Sequence, residues 1–110
     1  MAFTPYHNIT GSTGINVELI APGENAGTIR SIMVTNTHAT ADATVSLFIQ
    51  DDPTAATAST FYILSTVAIP SDTSLLLDNS TVLSFDNSSN GYGLYLTVGS
   101  SDTLDVMINR

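Results

Sequence analysis

The sequence predicts an all-β fold, a single antiparallel β-sandwich of about seven to eight strands. Short runs of alternating apolar and polar residues recur every 8–12 residues or so. Gly, Pro, Asn, Asp and Ser separate these runs. No window of about a dozen residues keeps apolar positions at helical spacing. An immunoglobulin-like sandwich and a jelly roll would both satisfy this pattern.

The chain has 110 residues, of which 43% are hydrophobic. This length suits one domain, and the apolar fraction is sufficient for a core. The sequence therefore predicts a single β-sandwich domain over residues 1–110, in which residues 1–14 form an N-terminal arm.

The first half of the chain contains four of the alternating runs. An additional short strand is predicted for residues 3–10. Residues 43–50 alternate most cleanly, with Val45, Leu47 and Ile49 facing inward. Pro-Gly and Asp-Asp-Pro stretches supply turn formers that end two of the runs. The remaining two runs are residues 15–20, with Ile15, Val17 and Leu19 on one face, and residues 28–37.

The second half begins with a long run, residues 60–69, which Pro70 ends. Residues 74–78 and 81–85 are predicted as short strands, separated by the turn formers at 79–80. The last two predicted strands are residues 92–98, with Leu94, Leu96 and Val98 inward, and residues 103–109, with Leu104, Val106 and Ile108 inward.

The charge balance argues against two classes of partner. The only basic residues are Arg30 and Arg110, and ten carboxylates give a formal net charge of −8. Nucleic-acid binding requires clustered Lys and Arg, so neither nucleic acid nor an anionic membrane surface is an expected partner. The sequence contains no cysteine, no recognisable secretion signal and no apolar run long enough for a membrane helix.

No residue is predicted to be catalytic, cofactor-binding or metal-binding. His7 and His38 lie outside any recognisable catalytic motif, and no phosphate-binding Gly-rich loop is present. Some carboxylate pairs lie near predicted strand ends, where calcium sites occur. These pairs are Asp51 with Asp52, Asp78 with Asp86, and Asp102 with Asp105. Their spacing matches no ordered calcium loop, and Asp is a common turn former.

Several apolar side chains fall on the faces that a sandwich exposes to solvent. They are Phe48, Leu76, Tyr95, Met107, Ile20 and one of the two alternating sets in residues 61–64. Single exposed apolar residues are ordinary, and loops or the N-terminal arm would cover some of them. The alternative is a contiguous patch that packs against a neighbouring subunit. The sequence has few charges that would prevent an edge strand from pairing with a strand of another chain. Such pairing with a partner is therefore a further prediction.

The order of these segments resembles that of the small β-sandwich virion proteins of tailed bacteriophages. A Pro-Gly turn precedes "TIRSIMVTNT", "ATVSLFIQDD", "FYIL", "VAIP", "LLLD" and "LDVMINR". The resemblance covers residues 15–110 and rests on pattern and order. Two loops depart from it: Ser71-Asp72 stands where members often have glycine, and "DNSSNGYG" replaces a Gly-Asp turn.

The resemblance implies a capsid decoration (cement) protein, or else a neck, tail or fibre accessory protein. It implies location in the virion, assembly in the host cytoplasm, and partners among other virion proteins, the major capsid protein or neck and tail proteins. It implies no catalytic residues or cofactor. Outward apolar side chains also predict a homo-oligomer. From a different class, a carbohydrate-binding or adhesin-like module would use Tyr62, Tyr92 and Tyr95.

Overall fold

The computed structural model describes residues 5–11, 16–51, 59–99 and 102–110. The regular elements in these residues are all strands, apart from one short helix. The elements are β1 (Tyr6–Thr10), β2 (Asn16–Ile20), β3 (Ser31–Asn36), β4 (Ala43–Gln50), β5 (Thr60–Ile69), β6 (Ser74–Leu77), α1 (Ser80–Leu83), β7 (Gly93–Val98) and β8 (Thr103–Asn109).

The strands form two antiparallel sheets of four in a β-sandwich-like arrangement. The first sheet has the order β1-β8-β3-β6, and the second has the order β2-β7-β4-β5. The pairing is nested, because β4 pairs with β5, β3 with β6, β2 with β7 and β1 with β8. Two further pairings, β3 with β8 and β4 with β7, complete the sheets. The all-β prediction is confirmed at this level.

Alternating side chains of both sheets fill the core between them. The predicted inward residues of β4, β7 and β8 belong to it, since Leu47, Leu96 and Val106 are fully buried. Ile49 is only partly buried, because it lies where β4 approaches its end. Ile15 lies outside the described residues, and the N-terminal strand predicted for residues 3–10 is confirmed for Tyr6–Thr10.

The strand predicted for residues 81–85 is wrong. Residues Ser80–Leu83 form a single helical turn instead. The side-chain oxygen of Asn79 accepts a hydrogen bond from the Thr81 backbone N–H at 3.1 Å, which is the interaction that caps a helix N-terminus. Leu83 then enters the core with 2% of its surface exposed. The cap and the buried leucine together outweigh the strand preference of this β-branched segment.

The outward orientation predicted for Ile20 is also wrong. The pairing of β2 with β7 shifts register between Glu18 and Ile20. Such a bulge breaks the alternation of side chains, so consecutive residues can point to the same face. Leu19 and Ile20 are therefore both buried in the core. β3 also begins later than predicted, at Ser31 rather than at residue 28.

Two buried asparagines hold loops to the sandwich. The Asn36 amide nitrogen donates to the carbonyls of Ala41 and Ile69, at 2.8 and 2.9 Å. Asn87 lies in the loop between α1 and β7 and is 5% exposed. Its amide nitrogen donates to the carbonyls of Ala21 and Tyr92, at 2.9 and 2.8 Å. Each side chain thus satisfies backbone groups that would otherwise be buried without partners.

Candidate interaction surfaces

A line of apolar side chains, three of them exposed and one partly buried, crosses the outer face of the first sheet. Tyr6 is paired with Met107, Met107 with Met33, and Met33 with Leu76, one residue from each of the four strands. Tyr6 is 66% exposed and Leu76 is 56% exposed. We call these four residues the apolar row. At the usual strand spacing it is roughly 15 Å long.

Polar rows flank the apolar row, and their side chains bond to one another. Asn8 donates to the Asp105 carboxylate at 2.7 Å, and the hydroxyls of Thr35 and Ser74 lie 2.8 Å apart. On the other flank, Asn109 donates to the Ser31 hydroxyl at 3.1 Å. The polar groups beside the apolar row are therefore already engaged within the face, which lowers the cost of covering them.

The outer face of the second sheet carries aromatic side chains instead. Tyr95, Phe48 and Tyr62 are aligned across β7, β4 and β5. The Phe48 ring lies 5.2 Å from Tyr62 and 6.0 Å from Tyr95, centroid to centroid. The Tyr95 hydroxyl donates to Glu18 at 3.3 Å. Phe48 and Tyr95 lie outside the core cluster, yet each is only 3% exposed.

The predicted outward residues therefore have different outcomes. Leu76 and Met107 are exposed, as predicted. Phe48 and Tyr95 do not belong to the core cluster, but they are buried and contribute no exposed patch. In residues 61–64, both Phe61 and Tyr62 are more than half exposed, at 57% and 59%. Met33 and Tyr6 complete the apolar row, and neither was among the predicted outward residues.

The tyrosines considered for sugar binding do not form an open platform. Tyr92 is partly buried and packs edge-on against Phe61 at 5.8 Å. Tyr95 lines an open cleft of about 460 Å³ together with Glu18 and Asp51. Its ring, however, stacks on Phe48, so its face is not available to a sugar. Only Tyr62 presents most of its surface.

The carboxylates considered as calcium ligands mostly serve turns and loop ends. Asp102 accepts from the Thr44 backbone N–H at 3.1 Å, and Asp51 accepts from the Ser59 N–H at 2.7 Å. Asp105 is bonded to Asn8 on the outer face, and Asp52 lies outside the described residues. Within the described ranges, no group of three or more His, Asp or Glu side chains is arranged to hold a metal ion.

The two histidines occupy structural positions. The Nδ1 atom of His38 accepts hydrogen bonds from the backbone N–H groups of Thr40 and Ala41, both at 3.1 Å, which shapes the turn after β3. His7 lies in β1 opposite Val106 and is partly buried. In the part of the chain that the structure describes, no helix is long and apolar enough to cross a membrane.

Asp86 anchors the loop between α1 and β7 through Ser88. Hydrogen bonds from the Ser88 hydroxyl and from the Ser88 backbone N–H hold the pKa of Asp86 below its ordinary value of 3.8. A carboxyl whose pKa is lower in the folded state than in the unfolded state stabilises the fold at pH values above its unfolded-state pKa. That contribution is lost as the pH falls through the folded-state pKa.

An NMR pH titration checks this arrangement. The Asp86 carboxyl is expected to titrate with a midpoint below 3.8. In Ser88→Ala the midpoint should rise, because the hydroxyl is lost, yet stay below the ordinary value, because the backbone N–H remains. A wild-type midpoint at or above 3.8, or no rise in Ser88→Ala, would contradict the assignment.

Comparison with known proteins finds no matching family model, no matching curated protein and no matching solved structure.

Proposed function

We propose that the chain is a structural, non-enzymatic protein of a tailed-bacteriophage virion, a capsid decoration (cement) protein. It stabilises the particle by packing its first sheet against another virion protein, the major capsid protein. The observation that carries the proposal is the apolar row, because apolar side chains from four adjacent strands form one contiguous line, in which Tyr6, Met107 and Leu76 are exposed. The sequence resemblance supplies the virion context.

We also infer a jelly roll rather than an immunoglobulin-like sandwich. The inference is supported by the nested pairing, in which the chain is a long antiparallel hairpin rolled into two sheets. Jelly rolls serve in viral capsids and in lectins. Fold alone does not choose between those functions, so the choice rests on the surface.

The chemistry of the first sheet suits a protein partner. Protein interfaces have an apolar centre and a polar rim, and the apolar row with its flanking polar rows has this arrangement. A stable interface covers about 800 Å² on each partner, more than a row of four side chains supplies. Each copy would therefore contribute a modest binding free energy, and the many copies on the capsid would multiply that contribution.

The copy number in purified particles tests the place in the virion. Peptides of this chain are quantified by mass spectrometry against the major capsid protein of the same particles. A ratio close to one is expected for a decoration protein. A few copies per particle would instead favour the neck, tail or fibre alternative. Absence from the particles would contradict a virion role.

A matched pair of variants tests the apolar row. In Leu76→Asp, a carboxylate enters the row and should weaken binding to undecorated capsids roughly thirtyfold, about 2 kcal/mol. Ser74→Asp places the same charge two residues away on the same strand, in the flanking polar row. We expect Ser74→Asp to bind within about threefold of wild type, measured by co-sedimentation with the capsids.

Two results would count against this surface. Equal weakening by both variants would mean that charge, rather than the apolar contact, decides binding. Wild-type binding by Leu76→Asp would remove the apolar row from the interface. If the protein then bound a glycan array, and Tyr62→Ala abolished that binding, the carbohydrate-binding alternative would replace the proposal.

A further inference from the structure

Among the described residues, all the large apolar side chains that are exposed lie along one continuous band. Tyr6, Met107 and Leu76 belong to the apolar row, and Phe61 and Tyr62 belong to β5 of the other sheet. Two adjoining cavities, on the side of the sandwich that β5 and β6 border, connect these two groups. We call the apolar row, the two cavities, Phe61 and Tyr62 together the apolar band.

The first cavity begins where the apolar row ends. It has a volume of about 230 Å³, and strands β5 and β6 and helix α1 all contribute to it. Leu76, the last residue of the row, is exposed, whereas Leu83 is buried, so the cavity leads from the surface toward the core. It is lined by Ile63, Leu76, Leu77, Asp78, Asn79 and Leu83.

The second cavity continues the band along β5. It has a volume of about 240 Å³ and shares Ile63 with the first cavity, so the two adjoin. Neither β5 nor β6 contains a charged residue, and the band therefore crosses both strands as an uncharged surface. The cavity is lined by Ile49, Phe61, Tyr62, Ile63, Ser84 and Phe85.

The size of the cavities suits a protein side chain. Each is smaller than the clefts of roughly 300–1,000 Å³ that hold small-molecule ligands. Protein interfaces, in contrast, commonly place a single apolar or aromatic side chain of one partner in a small pocket of the other. The first cavity, which is bordered mainly by aliphatic side chains, has the character of such a pocket.

We propose that the protein that covers the apolar row also extends over the β6 edge and inserts an apolar side chain into the first cavity. This inference rests on the proposed function, so the inserted side chain belongs to the major capsid protein. Leu76 is part of both the row and the first cavity, and a partner that covers the row therefore reaches the mouth of the cavity.

The extent of the apolar surface supports one partner for the whole band. Polar rows limit the contact on both sides of the apolar row, whereas the apolar surface continues at its β6 end. The row alone supplies less than the roughly 800 Å² that a stable interface covers on each partner, and the rest of the band adds apolar area. A second copy is disfavoured, because a net charge of −8 opposes self-association.

Phe61→Asp tests the inference by co-sedimentation with undecorated capsids. Phe61 is 57% exposed and lies on the second sheet, so the substitution leaves the apolar row intact. We expect binding to weaken roughly tenfold or more, because a carboxylate within the band loses its hydration on docking. Asn16→Asp makes the same change in net charge at an exposed position of β2, the opposite edge of that sheet, and should bind within about threefold of wild type.

The outcomes separate this inference from the proposed function. Normal binding by Phe61→Asp, together with weak binding by Leu76→Asp, would overturn the inference and leave the proposed function in place. Equal weakening by Phe61→Asp and Asn16→Asp would also overturn the inference, since net charge would then decide binding. Failure of the wild-type protein to bind capsids would overturn both.

Carbodiimide labelling of carboxylates in the wild-type protein gives a test that needs no variant. Asp78 lines the first cavity, and Glu18 lies on β2, and both are exposed in the free protein. On capsids, labelling of Asp78 should fall roughly tenfold, because the docked partner excludes water and reagent, while labelling of Glu18 should stay unchanged. Unchanged labelling of Asp78 would overturn the inference even if Phe61→Asp failed to fold. Protection of Asp78 at high protein concentration without capsids would assign the cavity to a second copy and overturn it as well.

Discussion

Asn87→Asp is expected to destabilise the fold by roughly 3–5 kcal/mol, since it leaves a buried charge without compensation. The Asn87 amide nitrogen donates to the carbonyls of Ala21 and Tyr92. An aspartate would instead place a carboxylate oxygen, which cannot donate, against both carbonyl oxygens. Only the bond accepted from the Ala26 backbone N–H, at 2.9 Å, would remain. Against a typical total of about 5–15 kcal/mol, this loss is large. Urea unfolding measures it.

The variant should also acquire a pH dependence with a definite sign. Burial beside two carbonyls raises the pKa of the introduced carboxyl in the folded state. The folded state then binds the proton more tightly than the unfolded state, so stability falls as the pH rises between the two pKa values. Asn90→Asp makes the same change at an exposed position of the same loop and should stay within about 0.5 kcal/mol of wild type. Equal losses would refute the role of Asn87.

Leu47→Ala is expected to cost about 2–5 kcal/mol, the range for removing a large buried aliphatic side chain. Leu47 is fully buried on the inward face of β4, which lies between β7 and β5. Its partners across the sheet, Leu96 and Leu64, would border the resulting cavity. A lower thermal midpoint and a lower urea midpoint should both report the loss.

The control for this variant uses the same substitution at an exposed leucine. Leu76→Ala should change stability by no more than about 0.5 kcal/mol, because Leu76 is 56% exposed. The contrast separates burial from any preference of the two residue types for strands. If both variants lost the same free energy, the placement of Leu47 in the core would be wrong.

Alternation and turn chemistry were sufficient to predict most of the sandwich. Val45 and Leu47, or Leu104 and Val106, lie on one face because side chains in any strand alternate. The errors arose where another interaction overrides the alternation of side chains. The side-chain cap of Asn79 converts a predicted strand into a helical turn, and a bulge after Glu18 turns Ile20 inward.

The candidate interaction surface was only partly predictable. The outward positions of Leu76 and Met107 follow from alternation within their own strands. Their alignment with Met33 and Tyr6 depends on the register between strands that are distant in sequence, which no local pattern specifies. The roles of Asn36 and Asn87 were missed because a buried loop-anchoring asparagine looks, in sequence, like any turn former.

The nested pairing of strands also governs how the chain reaches its fold. Only β4 and β5 are consecutive partners, so they can meet by closing a short loop. Each pairing further out joins segments more distant in sequence, and Tyr6 of β1 pairs with Met107 of β8. This topology therefore has a high contact order. The entropy of closing long loops is lost before such distant contacts can form, so we expect folding on roughly the millisecond-to-second scale. Folding should begin at the β4–β5 hairpin, and the two ends of the chain should pair last.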